Sequence, residues 1–303
     1  MASSSNPAFS NPAFQEQRPG LTPPAAQTQF GTASAQSVDI ATQAQMEGAY
    51  ASPAAGSVET GRMTVEDTVV KTLALFGILL VTAVVGWIWT MSGVTADNPT
   101  GVNMAPWIIG MLGGFVLSMV VIFTSRKKIR PALIFGYAAF EGLFIGGISA
   151  YFEFIWPGIV LQATIATLSV VGVTLALFAS GKVRASKKAT KVFMIAMVGY
   201  LVFSLVNLVM MMFGAFGDNS AGPFGISSQP SFILGIPWGV IIGVFVVIMA
   251  AYSLVLDFDS IQQGVRNGAP RQYGWLGAFG IMVTVVWLYI ELLRMIAIIR
   301  GNN

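Results

Sequence analysis

The sequence contains no cysteine and no histidine. Disulfides, thiolate nucleophiles, Cys/His zinc sites and histidine-assisted serine or cysteine catalysis are thereby excluded. Any response to pH near neutrality has to come from carboxylates set in burial or beside a like charge, because the imidazole switch is absent. Charge is scarce: 10% of residues are Asp, Glu, Lys or Arg, against ~25% in an ordinary soluble domain. The net charge of +3 is small and no basic stripe is interleaved with aromatics, so nucleic acid is not an expected partner. No P-loop, dinucleotide fingerprint, EF-hand loop or protease motif is present, and neither an enzyme nor a cofactor is expected. The first 30 residues have no apolar core behind a basic start, so no cleavable signal peptide is expected and the first span should direct insertion.

Hydrophobic residues, in contrast, make up 55% of the chain. Seven apolar runs, at about 70–92, 104–124, 131–152, 158–179, 191–213, 232–257 and 274–299, are each long enough to cross a ~30 Å hydrocarbon core as a helix. The expected fold is an all-α integral membrane protein, a seven-helix transmembrane bundle over residues 63–303. Residues 1–62, rich in Ser, Ala, Gln, Pro, Gly and Thr, cannot bury enough surface to offset the entropy of ordering, and are expected to form a disordered tail. The tail opens with a tandem repeat, SNPAF at Ser5–Phe9 and again at Ser10–Phe14, which is either a docking motif or low-complexity drift. Thr64, followed three residues on by Asp67, reads as the cap of the first helix.

Loop charge predicts orientation. Arg126, Lys127, Lys128 and Arg130, then Lys182, Arg184, Lys187, Lys188 and Lys191, then Arg266 and Arg271 fall in alternate connections, while 93–103, 153–157 and 214–231 hold no Lys or Arg. That pattern places the N-terminus in the cytoplasm and the C-terminus outside, with Arg294 and Arg300 on the wrong side of the rule. Glycines at four-residue spacing, Gly110 and Gly114, Gly142 and Gly146, and Gly235, Gly239 and Gly243, predict ridges where helix backbones approach closely. The triple predicts a central sixth helix.

Four acids fall within or beside the apolar runs: Glu141, Asp257, Asp259 and Glu291. An intramembrane carboxylate costs several kcal/mol unless paired or hydrated, which marks such residues as candidate functional groups. Glu141 lies near mid-bilayer in the third run, where a hydrogen bond to a neighbouring helix would hold it neutral. Glu291 and Arg294 share a helix face and could satisfy each other. Asp257 and Asp259 point ~200° apart on a helix, so at most one faces the interior and the other is expected at the cytoplasmic interface.

The end of the sixth run, LVLDFDSIQQG, and the seventh, WLYIELLRMIAIIR, resemble the Bax inhibitor or YccA-like family, the transmembrane Bax-inhibitor-motif proteins. The resemblance runs from about Met63 to Arg300 and points to a bacterial branch with a long N-terminal tail. Its sixth-span pattern matches Phe258-Asp259-Ser260, and its seventh-span pattern matches Tyr289-Ile290-Glu291-Leu292. It implies that Asp259 and Glu291 form a proton-sharing pair, a candidate calcium site, that gates a pH-dependent calcium leak, with Arg126 pairing to Asp259. Glu stands at 291 where the family commonly has Asp, the two acids are further apart than its common pattern, and Glu141 is an additional intramembrane acid. The expected function is a pH-sensitive cation leak channel or exchanger in the bacterial cytoplasmic membrane, with calcium as the first candidate ion. Its rival is a non-conducting regulator that holds a membrane protein partner, such as a membrane-bound protease, through the tail.

Overall fold

The computed structural model describes residues 61–213, 225–231 and 235–301. The expected tail, apart from Gly61 and Arg62, and the SNPAF repeat lie outside the described residues. Seven helices are each long and apolar enough to span a membrane: α1 (Val65–Met91), α2 (Ala105–Ser125), α3 (Pro131–Ile155), α4 (Ile159–Ala179), α5 (Lys187–Met212), α6 (Trp238–Arg266) and α7 (Tyr273–Gly301). Among the described residues there is no strand, only two isolated bridges. The chain is an all-helical, multi-pass membrane protein.

Local chemistry sets the helix ends. Thr64 Oγ1 accepts from the amide of Asp67 at 3.2 Å, the cap expected for α1. Ser186 caps α5 in the same way. Pro131 begins α3, where its missing N–H and fixed φ suit a first turn. At the far end of α3, Glu153 reaches across the turn: its carboxylate accepts from Gly158 N at 2.6 Å and Val160 N at 3.0 Å, satisfying free amides at the start of α4.

Helix α3 lies between α1 and α2, while α7 runs against α6, α1 and α4. These two, α3 and α7, are the most enclosed spans, and α5 is the least. The α1–α3 seam is glycine-lined: a Cβ on Gly146 would stand 2.0 Å from Ala83 O, and one on Gly142 would stand 2.3 Å from Leu79 O. Gly110 of α2 meets the Phe144 backbone of α3 as closely, at 2.4 Å. Gly142 and Gly146 therefore act as a ridge, and on α2 Gly110 does so alone, since Gly114 meets the Glu141 side chain instead. The expected triple does not: Gly235 precedes α6, has φ +72° and faces open space, because Pro237 delays the helix start to Trp238. Gly239 and Gly243 alone face α7, at Ile298 and Met295.

The helix ends bearing the eleven loop cations share one end of the bundle, here the basic end. There Asp67 is nearly buried between two cations. Lys71, one turn on, pairs with it, and Arg271 donates from Nε at 3.0 Å and Nη2 at 2.9 Å. Lys71 Nζ also donates to Arg271 O at 2.7 Å. The segment entering α1 is strapped to the same loop, through Met63 N to Ala269 O and Arg271 N to Gly61 O. Met63 is buried in the core formed with Ile261, Ala269 and Leu276.

Candidate functional site

The intramembrane acids separate into three places. Asp257 sits on α6 about two and a half turns in from Arg266, ~14 Å from the basic end of the helix. It is fully buried, at 0% exposure. Thr284 of α7 donates its hydroxyl to Oδ2 at 2.6 Å, and Ser253, one turn earlier on α6, lies 3.5 Å from the same hydroxyl. A carboxylate thus closes the α6–α7 seam, backed by two hydroxyls.

Asp259 is on another face of α6 and only half-buried. The expected roles are therefore exchanged: Asp257, not Asp259, faces the interior. Side-chain volume explains the rotation of α6. Phe258 turns to meet Phe178 of α4 in a tilted ring contact, with centroids 5.5 Å apart, and the small Ser253 and Ser260 face inward beside Asp257.

Glu291 is buried, at 3% exposure, toward the opposite end of α7. Arg294 of the same helix donates to Oε1 as an ion pair, and Tyr200 of α5 donates to Oε2 at 2.9 Å. Arg294 also reaches Ser227 at 3.4 Å. Asp259 and Glu291 do not meet. The Asp257–Thr284 bond fixes the register of the two antiparallel helices. It leaves Asp259 two positions to one side and Glu291 seven to the other, ~14 Å apart along the axis. No proton-sharing pair of these two exists in this arrangement. Nor, among the described residues, do three or more Asp or Glu gather as a metal site, whereas calcium takes six to eight oxygens.

Arg126, the expected partner of Asp259, is exposed at the end of α2, and among the described residues it makes no ion pair. Helix α2 packs chiefly on α3, which holds Arg126 away from α6. Glu141 lies in the α2–α3 seam. Its carboxylate occupies the space left by Gly114, where a Cβ would stand 2.9 Å from Oε2, and the Tyr137 ring, one turn before it, borders the same space. The Tyr137 ring in turn meets Phe279 of α7 edge-on at 4.9 Å.

Four residues have roles that a reading of the sequence does not give them. Tyr200 is a neutral aromatic in an apolar run, and nothing in spacing ties it to a residue 91 positions away. Arg271 reads as loop charge. Asp67 and Lys71 carry a usable signal, an acid and a base one turn apart.

No curated protein and no solved structure is significantly similar to the chain. The family model described as Bax inhibitor 1 like matches residues 6–301. That match takes in all seven helices, the acids of α6 and α7, and most of the SNPAF repeat, and with nearly the whole length covered the chain belongs to the Bax inhibitor 1 like family.

Proposed function

We propose that the protein is a proton-sensitive cation pathway, a leak channel or exchanger with calcium as the first ion to test, and that Asp257 is its sensing carboxylate. The observation that carries this reading is the Asp257–Thr284 contact, an acid with no solvent exposure on one span bonded to a hydroxyl on the next. A carboxylate in that setting is occupied by a proton, a counter-cation or strong donors, so proton and cation compete for one group. A change of occupant rearranges the α6–α7 seam it closes. Glu291 is held in an ion pair with Arg294. Asp259, nearer the basic end and half-exposed, is placed to meet ions before Asp257 does.

In liposomes holding purified protein and a calcium indicator, influx is expected to vary with pH. Asp257→Asn should flatten that dependence, because an amide has no proton to exchange in this range and carries no charge for a cation to balance. Asp259→Asn should lower the rate and keep the pH profile. Absence of flux at every pH, for calcium and for potassium, would sink the transport reading. It would favour the second one, a non-conducting regulator whose tail is handled by a partner, which the strap of residues 61–63 onto the α6–α7 loop supports.

We further propose that the basic end faces the cytoplasm of a bacterial cell. The two cations that break the charge rule have local employment at the other end: Arg294 on Glu291, and Arg300, which donates to Pro157 O at 2.9 Å. The cysteine-free background makes labelling direct. Thr100→Cys, on an exposed position of the 93–103 connection, should react with an impermeant maleimide on intact cells, and Lys127→Cys only after permeabilisation. The reverse order would refute this orientation.

A further inference from the structure

Buried polar side chains along α7 fall into two groups. Nearer the basic end, Asp257 and Ser253 of α6 meet Thr284 of α7. Toward the other end, Glu291 and Arg294 of α7 meet Tyr200 of α5 and Ser227 of the short turn before α6. The second group is short of partners: Arg294 Nε is buried with none among the described residues, and Nη1 reaches Ser227 only at 3.4 Å. Thr284 and Glu291 are seven residues apart on α7, so they share a face, ~10.5 Å from each other along the axis. On α6, Leu254 and Ala250 stand three and seven residues before Asp257 and share its face in the same way. Between the two polar groups the seam therefore holds Leu254 and Ala250 from α6 and Leu288 from α7, each at 0% exposure and joined in one apolar cluster. Leucine is ordinary in a bundle core. What sets this layer apart is its place, about one turn thick, across a seam that is polar on both sides.

A cation leaving Asp257 along this seam meets no side-chain oxygen beyond Ser253 and Thr284 until it reaches Glu291, and an apolar constriction closes a path by staying dry. We propose that Leu254 and Leu288 are the gate of the cation pathway, the layer that separates water and ions at Asp257 from the Glu291–Arg294 site. The assignment rests on the transport reading given above and adds to it the place at which the path is shut. It also says how the sensing carboxylate acts on that place. Leu254 and Leu288 stand three and four residues from the two ends of the Asp257–Thr284 bond, so a rearrangement of that bond shifts both leucines.

The cysteine-free chain permits a test that needs no transport. In the full-length protein in detergent, the thiol of Ser253→Cys reports whether water reaches the layer, with 2-aminoethyl methanethiosulfonate as the probe and mass spectrometry as the count. That thiol should react slowly, since Ser253 is 9% exposed. Adding Leu288→Thr should speed the reaction at least about tenfold, and Leu254→Thr, on the other helix, should do the same. Leu293→Thr alters an equally buried leucine of α7 in the core shared with α3 and α4, and should leave the rate unchanged. A second reporter, Ala278→Cys, lies at 0% exposure in the core toward α1 and α3 and should stay unreactive in every variant. If Leu293→Thr is as effective as Leu288→Thr, or Ala278→Cys becomes reactive alongside, the effect is loosened packing and the gate is overturned. Unchanged reactivity in both Leu288→Thr and Leu254→Thr overturns it as well. In liposomes Leu288→Thr should also pass calcium at pH values where the wild type is closed; flux in the wild type with none gained by this variant would overturn the gate and leave the transport reading standing.

Discussion

Valine at Gly146 is expected to destabilise the bundle severely. A Cβ there would stand 2.0 Å from Ala83 O and 2.8 Å from Ala83 Cα, so the obstacle is backbone, which cannot rotate aside as a side chain can. The only relief is to move α1 off α3. That separates the seam in which Gly142 lies against Leu79 and Gly86 against Leu143. In a bilayer, helices associate through such close packing and not through exclusion of water, so lost contact is not repaid by burial elsewhere. Overpacking of a tight core costs about 1–3 kcal/mol, and a clash with backbone belongs at or beyond the upper end. Gly77→Ala on α1 is the control, since its Cβ meets nothing within 4 Å. Thermal unfolding in detergent should separate the two variants widely; equal melting temperatures would show that the α1–α3 seam is not as close as described.

The second large effect concerns Glu291. Replacing it by leucine leaves Arg294 in the bundle with its charge unanswered, and breaking one side of a buried pair typically costs about 3–5 kcal/mol. Arg294 retains 20% of its surface and can lean toward the nearby helix end, which places this case near the lower figure. Removing both charges, Glu291→Leu with Arg294→Leu, should restore most of the loss, because two hydrophobic residues of similar volume replace a desolvated pair. The double-mutant cycle measures that coupling directly. If the double variant is as unstable as the sum of the singles, the two residues do not act as a unit and Tyr200 is the true support of the carboxylate.

The seven spans were readable because length and apolarity are properties of each segment alone, and the Gly142–Gly146 ridge because its spacing is local. The choice between Asp257 and Asp259 was not. Two residues two apart on a helix tell a reader that one faces in, but which one depends on how α6 is rotated about its axis. That rotation is set by partners on other helices, Phe178 and Thr284. The Asp259–Glu291 pairing failed for a related reason: register between helices is fixed by contact, and the Asp257–Thr284 bond sets a register that carries Glu291 past its expected partner. Glu291 and Arg294, three apart on one helix, needed no such knowledge, and their ion pair is the one polar contact of the site that spacing announced.

The strap at the basic end bears on the order in which the protein is made. Asp67 and Lys71 emerge from the ribosome some 200 residues before Arg271, so α1 has to enter the membrane without its third partner. It can do so because the acid and the lysine one turn apart neutralise each other within a single helix. Arg271 arrives when six spans are already in place, adds its guanidinium to Asp67 and its carbonyl to Lys71, and draws Gly61–Met63 onto the new loop. A nascent chain stopped short of that loop would carry a first helix with Asp67 already paired to Lys71 but Met63 uncovered, and only the completed chain closes over it.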